Sequence, residues 1–414
     1  MRIVHLTQST VAEITGGLEY HVKYLTAALE QLGHEVFVVS PELVEKSVRF
    51  RPSGSVDVSF LPAPVRHRWD ALVETALMLW GRVSHLRHAA RVAQSVENLR
   101  PDLVHQHSYV GELRTCRMLA MKYPVVFTNH TGAYLHLDRW LPTRYLQRRL
   151  MKRFTMAIGP SRELTPQTDN SHYVPNGVDT KLFSPASRQG RELIRARYRL
   201  AGKRVFLCPR RWAPTKGIFY LAQAMRGLPQ IIRAGSVFVF AGNETPGYAR
   251  YQGNVRRALA ASGCEVRVLG NLSPHDLAEF MNVAEACVCP SLLEATSLAC
   301  LESMACATPV IGTRVGGLPE LIRHGENGWL VPARDVKALA AAIEYVYQLQ
   351  PADLEQTGQK ALATVKDTYT WELAARRTEI VYQKALEKWK SGEPAKSGIF
   401  ARKKGVPGPD KAHA

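Results

Sequence analysis

Residues 286–312 read ACVCPSLLEATSLACLESMACATPVIG. A short apolar run at 286–289 stops at Pro290, a polar loop follows, apolar residues return at helical spacing over 297–306, and a second short run covers 308–312. An apolar run, a helix and another apolar run of this size make a βαβ unit, whose strands lie parallel in one sheet. The alternation continues in both directions. Strands are expected at 2–7, 35–40, 57–61, 102–107, 124–128 and 155–159, then at 204–209, 236–241, 265–269, 286–289, 308–312 and 329–331. Helices are expected between them, among them 17–32, 216–228, 275–283, 297–306 and 335–349. Two groups of six strands point to two doubly wound α/β domains rather than one large sheet.

The boundary is expected at Pro175-Asn176-Gly177-Val178-Asp179, where turn formers end the first group. This divides the chain into a domain at 1–175 and a second at 176–370. Residues 371–390 repeat apolar side chains at helical spacing, a long amphipathic helix expected to cross back to the first domain. The tail 391–414 is rich in Gly, Pro and Lys and reads as a disordered basic segment. Open α/β sheets bind ligands beyond the carboxyl ends of their strands, so chemistry is expected in a cleft between the two domains.

The chain has 414 residues, 46% of them apolar, and no run long enough to span a membrane. The N-terminus reads as a buried first strand, not a signal peptide. Seven cysteines without a CxxC pair are read as reduced, buried thiols in a cytoplasmic protein. Cys287 and Cys289 are expected on opposite faces of their strand. The net charge is +18. Residues 66–153 hold 15 basic against 6 acidic side chains, and residues 384–414 hold 8 against 3. Such clustering implies an anionic partner: a membrane face, a phosphorylated acceptor or nucleic acid.

Four constellations carry chemistry. In the opening stretch, the helix starting near Ser297 has amides from Thr296 to Leu298 without intrahelical partners, an anion site suited to a diphosphate. Glu294 precedes the helix and Glu302 follows on its second turn; carboxylates accept paired hydroxyl hydrogen bonds, as sugar and ribose diols require. The plain alternative makes Ser297 a cap and Glu302 a solvated helix residue. In Pro209-Arg210-Arg211-Trp212-Ala213-Pro214-Thr215-Lys216-Gly217, Arg211 and Lys216 offer two cations from one loop. The plain alternative is a basic surface loop. Gly16 and Gly17 open a helix after the first strand and allow close backbone approach, without making a GxGxxG fingerprint. His130 lies just beyond a strand end. Of His105 and His107, one is expected to face inward, and both read as structural. No Asp-x-Asp and no GxxxxGK[ST] occur, so no metal-bound diphosphate and no P-loop chemistry are expected.

The stretch resembles glycosyltransferase family 4: a glutamate, seven residues and a glutamate at Glu294 and Glu302, followed by 307–320 and by 325–331. The likeness is continuous over these segments and weaker over most of the chain. It implies the GT-B fold, two Rossmann-like domains with the acceptor on the N-terminal side and the nucleotide sugar on the C-terminal side. It implies a retaining glycosyltransferase; with no Asp-x-Asp and with Arg211, Lys216 and a helix N-terminus to supply positive charge, no metal and no cofactor are expected. Glu294 would contact donor sugar hydroxyls, Glu302 the ribose, amides near Thr296, Ser297 and Leu298 the distal phosphate, Gly16 and Gly17 the phosphate and acceptor, and His130 the donor sugar. Arg211 and Lys216 match the family's cation pair. Catalysis would rest on Arg211, Lys216, Glu294 and His130, with the leaving phosphate taking the acceptor proton on the same face. Two departures stand out: Arg210 replaces a usual glycine, leaving its role open, and so does Ala307, at a helix C-cap.

A UDP-sugar is favoured over a GDP-sugar or ADP-sugar as donor, and a glycan or lipid-linked acceptor of the cell envelope is preferred. The apolar faces at 69–83 and 146–154 lie beside basic residues. Two readings fit 69–83: an amphipathic helix on an anionic membrane, or a face packed on the first sheet. For 146–154 the apolar face reads as packed and its charges as drawn to anionic lipid. Competing functions are a nucleotide-sugar epimerase on the same fold, a phosphorylase, and a non-enzymatic anionic-surface binder. The first lacks the paired-glutamate context, the second a pyridoxal-phosphate lysine site, and the third nucleic-acid motifs.

Overall fold

A computed structural model describes residues 1–7, 17–40, 83–107, 113–130, 151–244 and 247–392, together with Tyr145 and Arg148. The expected strand at 57–61, the rest of 41–82, residues 131–144, Gly16 and the tail from 393 lie outside the described residues. The chain divides into two compact units. One holds the described residues of Met1–Gly159, Thr165–His172 and Arg377–Ala414, the other Pro160–Leu164 and Tyr173–Arg376.

The first sheet has the order β2-β1-β3-β4-β5-β6. Its strands are β1 Arg2–Leu6, β2 Glu35–Val39, β3 Leu103–Gln106, β4 Val125–Thr128, β5 Met156–Gly159 and β6 Ser171–Tyr173. Helices α1 Gly17–Gln31, α2 Val83–Glu97 and α3 Leu113–Leu119 connect them. The second sheet, order β12-β11-β10-β7-β8-β9, comprises β7 Arg204–Cys208, β8 Ser236–Ala241, β9 Glu265–Gly270, β10 Ala286–Cys289, β11 Val310–Thr313 and β12 Gly328–Val331. Its helices are α4 Arg188–Arg197, α5 Ile218–Arg226, α6 Gln230–Gly235, α7 Ala249–Ala260, α8 Pro274–Val283, α9 Leu298–Ala305, α10 Leu318–Leu321, α11 Val336–Gln348 and α12 Pro351–Thr368. A final helix, α13, runs Trp371–Lys390. Every pairing in the second sheet is parallel. These are two Rossmann-like units.

Burial on both faces explains the near-continuous apolar strands. In β7, Val205 and Leu207 join one core while Phe206 and Cys208 join the other. The same period corrects the expectation for Cys287 and Cys289. Residues two apart on a strand share a face, and both cysteines belong to the core of Val205 and Leu207. All seven cysteines are free thiols. The sixth strand of the first sheet, β6, was not expected: it is short, polar and half-buried. Of the 146–154 face, Phe154 is buried and stacks on Phe127 at 4.7 Å, whereas Lys152 and Arg153 are exposed. This fits a packed apolar edge with solvated charges.

Polar caps set several helix starts. Ser273 accepts the Asp276 amide ahead of α8, and Asp335 accepts the Ala338 amide ahead of α11. Ala307, just past α9, has φ +55°. A side chain there costs about 1–2 kcal/mol that glycine would avoid, against about 0.5–1 kcal/mol of glycine's extra entropy. Ala307→Gly should therefore raise unfolding stability by roughly 1 kcal/mol, read as a higher urea midpoint; a lower midpoint would contradict the strain.

Candidate functional site

In the second sheet β7 has β8 on one side and β10 on the other, so the direction of winding reverses between β7 and β10. A doubly wound sheet opens a crevice at such a switch point, beyond the carboxyl ends of the strands. The loop after β7 carries Arg210, Arg211 and Lys216, and the loop after β10 carries Ser291, Glu294 and Ser297.

Backbone contacts hold the two loops together. The amides of Leu292 and Leu293 both donate to the Thr215 carbonyl, at 2.8 and 3.3 Å. Gly217 has φ +67°, and a Cβ there would collide with the Pro290 carbonyl. Gly316 has φ +54°, and a Cβ there would strike the Glu294 carbonyl, while the Gly317 amide donates to Ala295 at 2.9 Å. Glycine is thus required where both neighbouring loops press on the glutamate loop.

Glu294 sits at the centre. Lys216 Nζ donates to its Oε1 at 3.1 Å and its Oε2 at 3.0 Å. A guanidinium nitrogen of Arg210 lies 2.9 Å from Oε2, and Ser291 Oγ donates to Oε2 at 3.0 Å. The Glu294 and Arg210 side chains are only 8% and 7% exposed. Burial alone would raise the Glu294 carboxyl, but Arg210 and then Lys216 hold it down at about 2. Burial also lowers the Lys216 ammonium; Glu294 works against that shift, and Arg210 and Arg211 add to it.

The sequence left the role of Arg210 open and assigned Arg211 and Lys216 to the diphosphate. Arg210 and Lys216 are the two that grip Glu294, because two residues past the end of β7 Arg210 turns inward. Arg211 is exposed, its side chain without an ion pair or hydrogen bond among the described residues, yet close enough to Lys216 to weaken its charge. The same Arg210 nitrogen donates to Ser297 Oγ at 2.7 Å, and Ser297 caps α9 by accepting the Cys300 amide. Thr296 is buried, its hydroxyl donating to the Pro160 carbonyl. The amides of Thr296, Ser297 and Leu298 make no backbone hydrogen bond among the described residues. Glu302 is half-buried, its side chain without a hydrogen bond or ion pair among the described residues, and burial pushes its carboxyl up to about 7 despite the opposing charge of Arg210.

The first sheet reverses between β1 and β3, and there histidines gather. His5 lies on β1, His21 on α1, His105 on β3, His107 just past β3 and His130 just past β4. His105 and His107, expected to point apart, sit with ring centroids 3.9 Å apart, since a two-residue step returns to the same face. His107 Nδ1 is 3.2 Å from His130 Nε2, and the His130 ring lies 4.5 Å from that of His21. Burial, then the charge of His21, lowers His5 to about 3 and also depresses His130, so both are neutral imidazoles. Ring nitrogens of His5, His105 and His107, and of His21, His107 and His130, come within 4.8 Å, a spacing that suits metal ligands. In the first set, Thr26, Tyr382 and Thr128 hydroxyls already occupy both nitrogens of His5 and of His105. Gly17 is the exposed first residue of α1.

Comparison with known proteins matches the pattern described as "Glycosyl transferases group 1" to residues 190–362 and that described as "Glycosyltransferase Family 4" to residues 15–182. The chain is 26% identical over 411 residues to MMP alpha-(1->4)-mannosyltransferase of Mycolicibacterium hassiacum, covering 90% of this chain and 95% of that one. It is 26% identical over 420 residues to a glycogen synthase of Mycobacterium tuberculosis, covering 95% and 97%. Among solved structures it is similar to sucrose-phosphate synthase from Thermosynechococcus elongatus, with a TM-score of 0.71 and 20% identity over 94% of this chain and 100% of that one. It is also similar to the Anabaena protein HepE in complex with UDP and glucose, with a TM-score of 0.70 and 18% identity over 92% and 99%. Among the described residues, no helix is long and apolar enough to cross a membrane.

Proposed function

We propose a specific reaction on one premise: the chain belongs to glycosyltransferase family 4 and is a glycosyltransferase built on two Rossmann-like units. It transfers a hexose from a nucleoside diphosphate donor, UDP before GDP, to a glycan or lipid-linked acceptor, with retention and without a metal on the diphosphate. The observation that carries this reading is the cluster of Arg210, Lys216 and Glu294 at the β7–β10 switch point, beside the α9-opening amides that make no backbone hydrogen bond among the described residues. The UDP and glucose bound to HepE support the choice of base and sugar class. The excess of basic side chains at 66–153 supports an anionic acceptor or membrane face and a role in envelope synthesis on the cytoplasmic side.

In the transfer, the bond from the anomeric carbon to the phosphate oxygen breaks, and a bond to the acceptor oxygen forms on the same face. The acceptor proton passes to the leaving phosphate. Charge grows on that phosphate, and Lys216, Arg211 and the amides of Thr296 to Leu298 meet it. When Lys216 turns to the phosphate, it releases lone pairs of Glu294 for the sugar hydroxyls. Glu302 accepts from the ribose.

Thermal shift against UDP, GDP, ADP and their sugars tests the donor, because selective binding stabilises the fold. Glu302 adds a pH dependence. Only its ionised form accepts two hydroxyl hydrogen bonds, and its carboxyl titrates near 7. Donor affinity should fall as pH drops below that value, by up to about tenfold per unit. Affinity flat between about pH 5.5 and 8, or a slope that survives Glu302→Gln, would rule this role out.

A further inference from the structure

A lone guanidinium is costly to bury, so a buried arginine at a binding crevice needs a reason. Arg210 touches three parts of the crevice. It pairs with Glu294 at 2.9 Å, donates to the Ser297 hydroxyl at 2.7 Å, and reaches Cys300 Sγ at 3.9 Å. Ser297 caps α9, whose second turn carries Glu302. One side chain therefore ties the glutamate loop to the helix whose amides open the anion site. Its Nε is buried without a hydrogen-bond partner among the described residues, so the residue is committed through its terminal nitrogens.

We propose that Arg210 is a positioning residue: its guanidinium clamps Glu294 to the N-terminus of α9, so that sugar, diphosphate and ribose contacts keep one fixed relation. The inference rests on the donor site proposed above. Lys216 shares Glu294 until a diphosphate draws it away; Arg210, pinned by Ser297, then remains as the cation on that carboxylate. Arginine suits this because its planar fork spans two acceptors, whereas an ammonium is a single point charge. The charged and titratable groups facing the clamp are Cys208 of β7, Cys289 of β10, Glu294, Lys216 and Arg211 of the loops, and Cys300 and Glu302 of α9, with Cys306 beside Glu302. Among them Arg210 is the cation that lowers Glu302.

The test compares wild type with R210Q, R210K and R210G. Binding of UDP, GDP or ADP, whichever the thermal screen selects, is measured by calorimetry from about pH 5.5 to 8.5, together with KM and kcat. R210Q and R210G should bind the nucleotide about tenfold more weakly near pH 6, equivalent to a rise of about one unit in the acid midpoint. Donor KM should rise more than kcat falls. R210K should keep the wild-type midpoint, with KM raised a few-fold by loss of the Ser297 bridge. A side chain that merely fills space would leave R210Q and R210K alike, and a folded R210Q with an unmoved midpoint overturns the proposal. If wild type binds none of the three nucleotides, the donor reading fails instead. The clamp is then read from urea unfolding of R210Q, E294Q and the double variant: coupling between the two sites upholds it, and additivity overturns it.

Discussion

Lys216→Ala should slow transfer by about a hundred- to a thousandfold, the loss expected when one preorganised contact to a developing oxyanion is removed. Lys216 is the cation best placed to leave one partner for another. Among the described residues its Nζ is held by Glu294 alone, and its side chain keeps 18% exposure where Arg210 keeps 7%. The substitution leaves Glu294 paired with Arg210 and Ser291, so the fold should persist and the defect should fall on kcat. Arg211→Ala is the companion measurement. Its exposed side chain has no protein partner to lose among the described residues, so any fall in turnover reports a contact made only with the donor. Near wild-type turnover in a folded Lys216→Ala protein would remove the lysine from the mechanism.

Glu294→Gln should cost about 3–5 kcal/mol of stability, because it leaves the Arg210 guanidinium buried beside a neutral amide. Adding Arg210→Gly should recover much of that loss, since taking out both partners removes the orphaned charge. Urea unfolding of the two single variants and the double variant measures the cycle. A Glu294→Gln protein within about 1 kcal/mol of wild type would show the pair to be thermodynamically idle. The pH dependence has a definite sign. The folded-state carboxyl titrates at about 2, below an ordinary glutamate. Its contribution is therefore complete above the unfolded value, near 4.5, and is lost as pH falls from there towards about 2.

Much of the architecture was legible because buried parallel strands announce themselves. Runs such as 236–241 are apolar on both faces, and turn formers bound them. β6, Ser171–Tyr173, escaped because three half-buried polar residues carry no apolar signal. The two glutamates and Lys216 were legible from family likeness and from a helix start beside them. Which of Arg210 and Arg211 would grip Glu294 was not. Adjacent arginines look alike in a sequence, and only the path of the chain after Cys208 decides which one turns inward. Ser291 escaped for a similar reason, since its role exists only once Glu294 is placed. The histidine cluster was half legible: His130 stood out at a strand end, but His105 and His107 were assigned alternate faces against the two-residue period. His5 and His21 carry no local signal, because sheet order alone brings β1, β3 and α1 together.

The Tyr382 hydroxyl on α13 lies 3.2 Å from His5 Nε2 and 2.6 Å from His105 Nδ1, and His34 meets Glu379 at 3.0 Å. A strand of the first sheet is thus finished by a helical turn 377 residues further along the chain. During synthesis, the first unit has to persist with two interior imidazoles lacking their phenol until residue 382 emerges. A gene fragment cut between the first sheet and residue 382 would encode an unfinished object, and a stop codon ahead of residue 382 should damage the first unit as surely as the helix it removes.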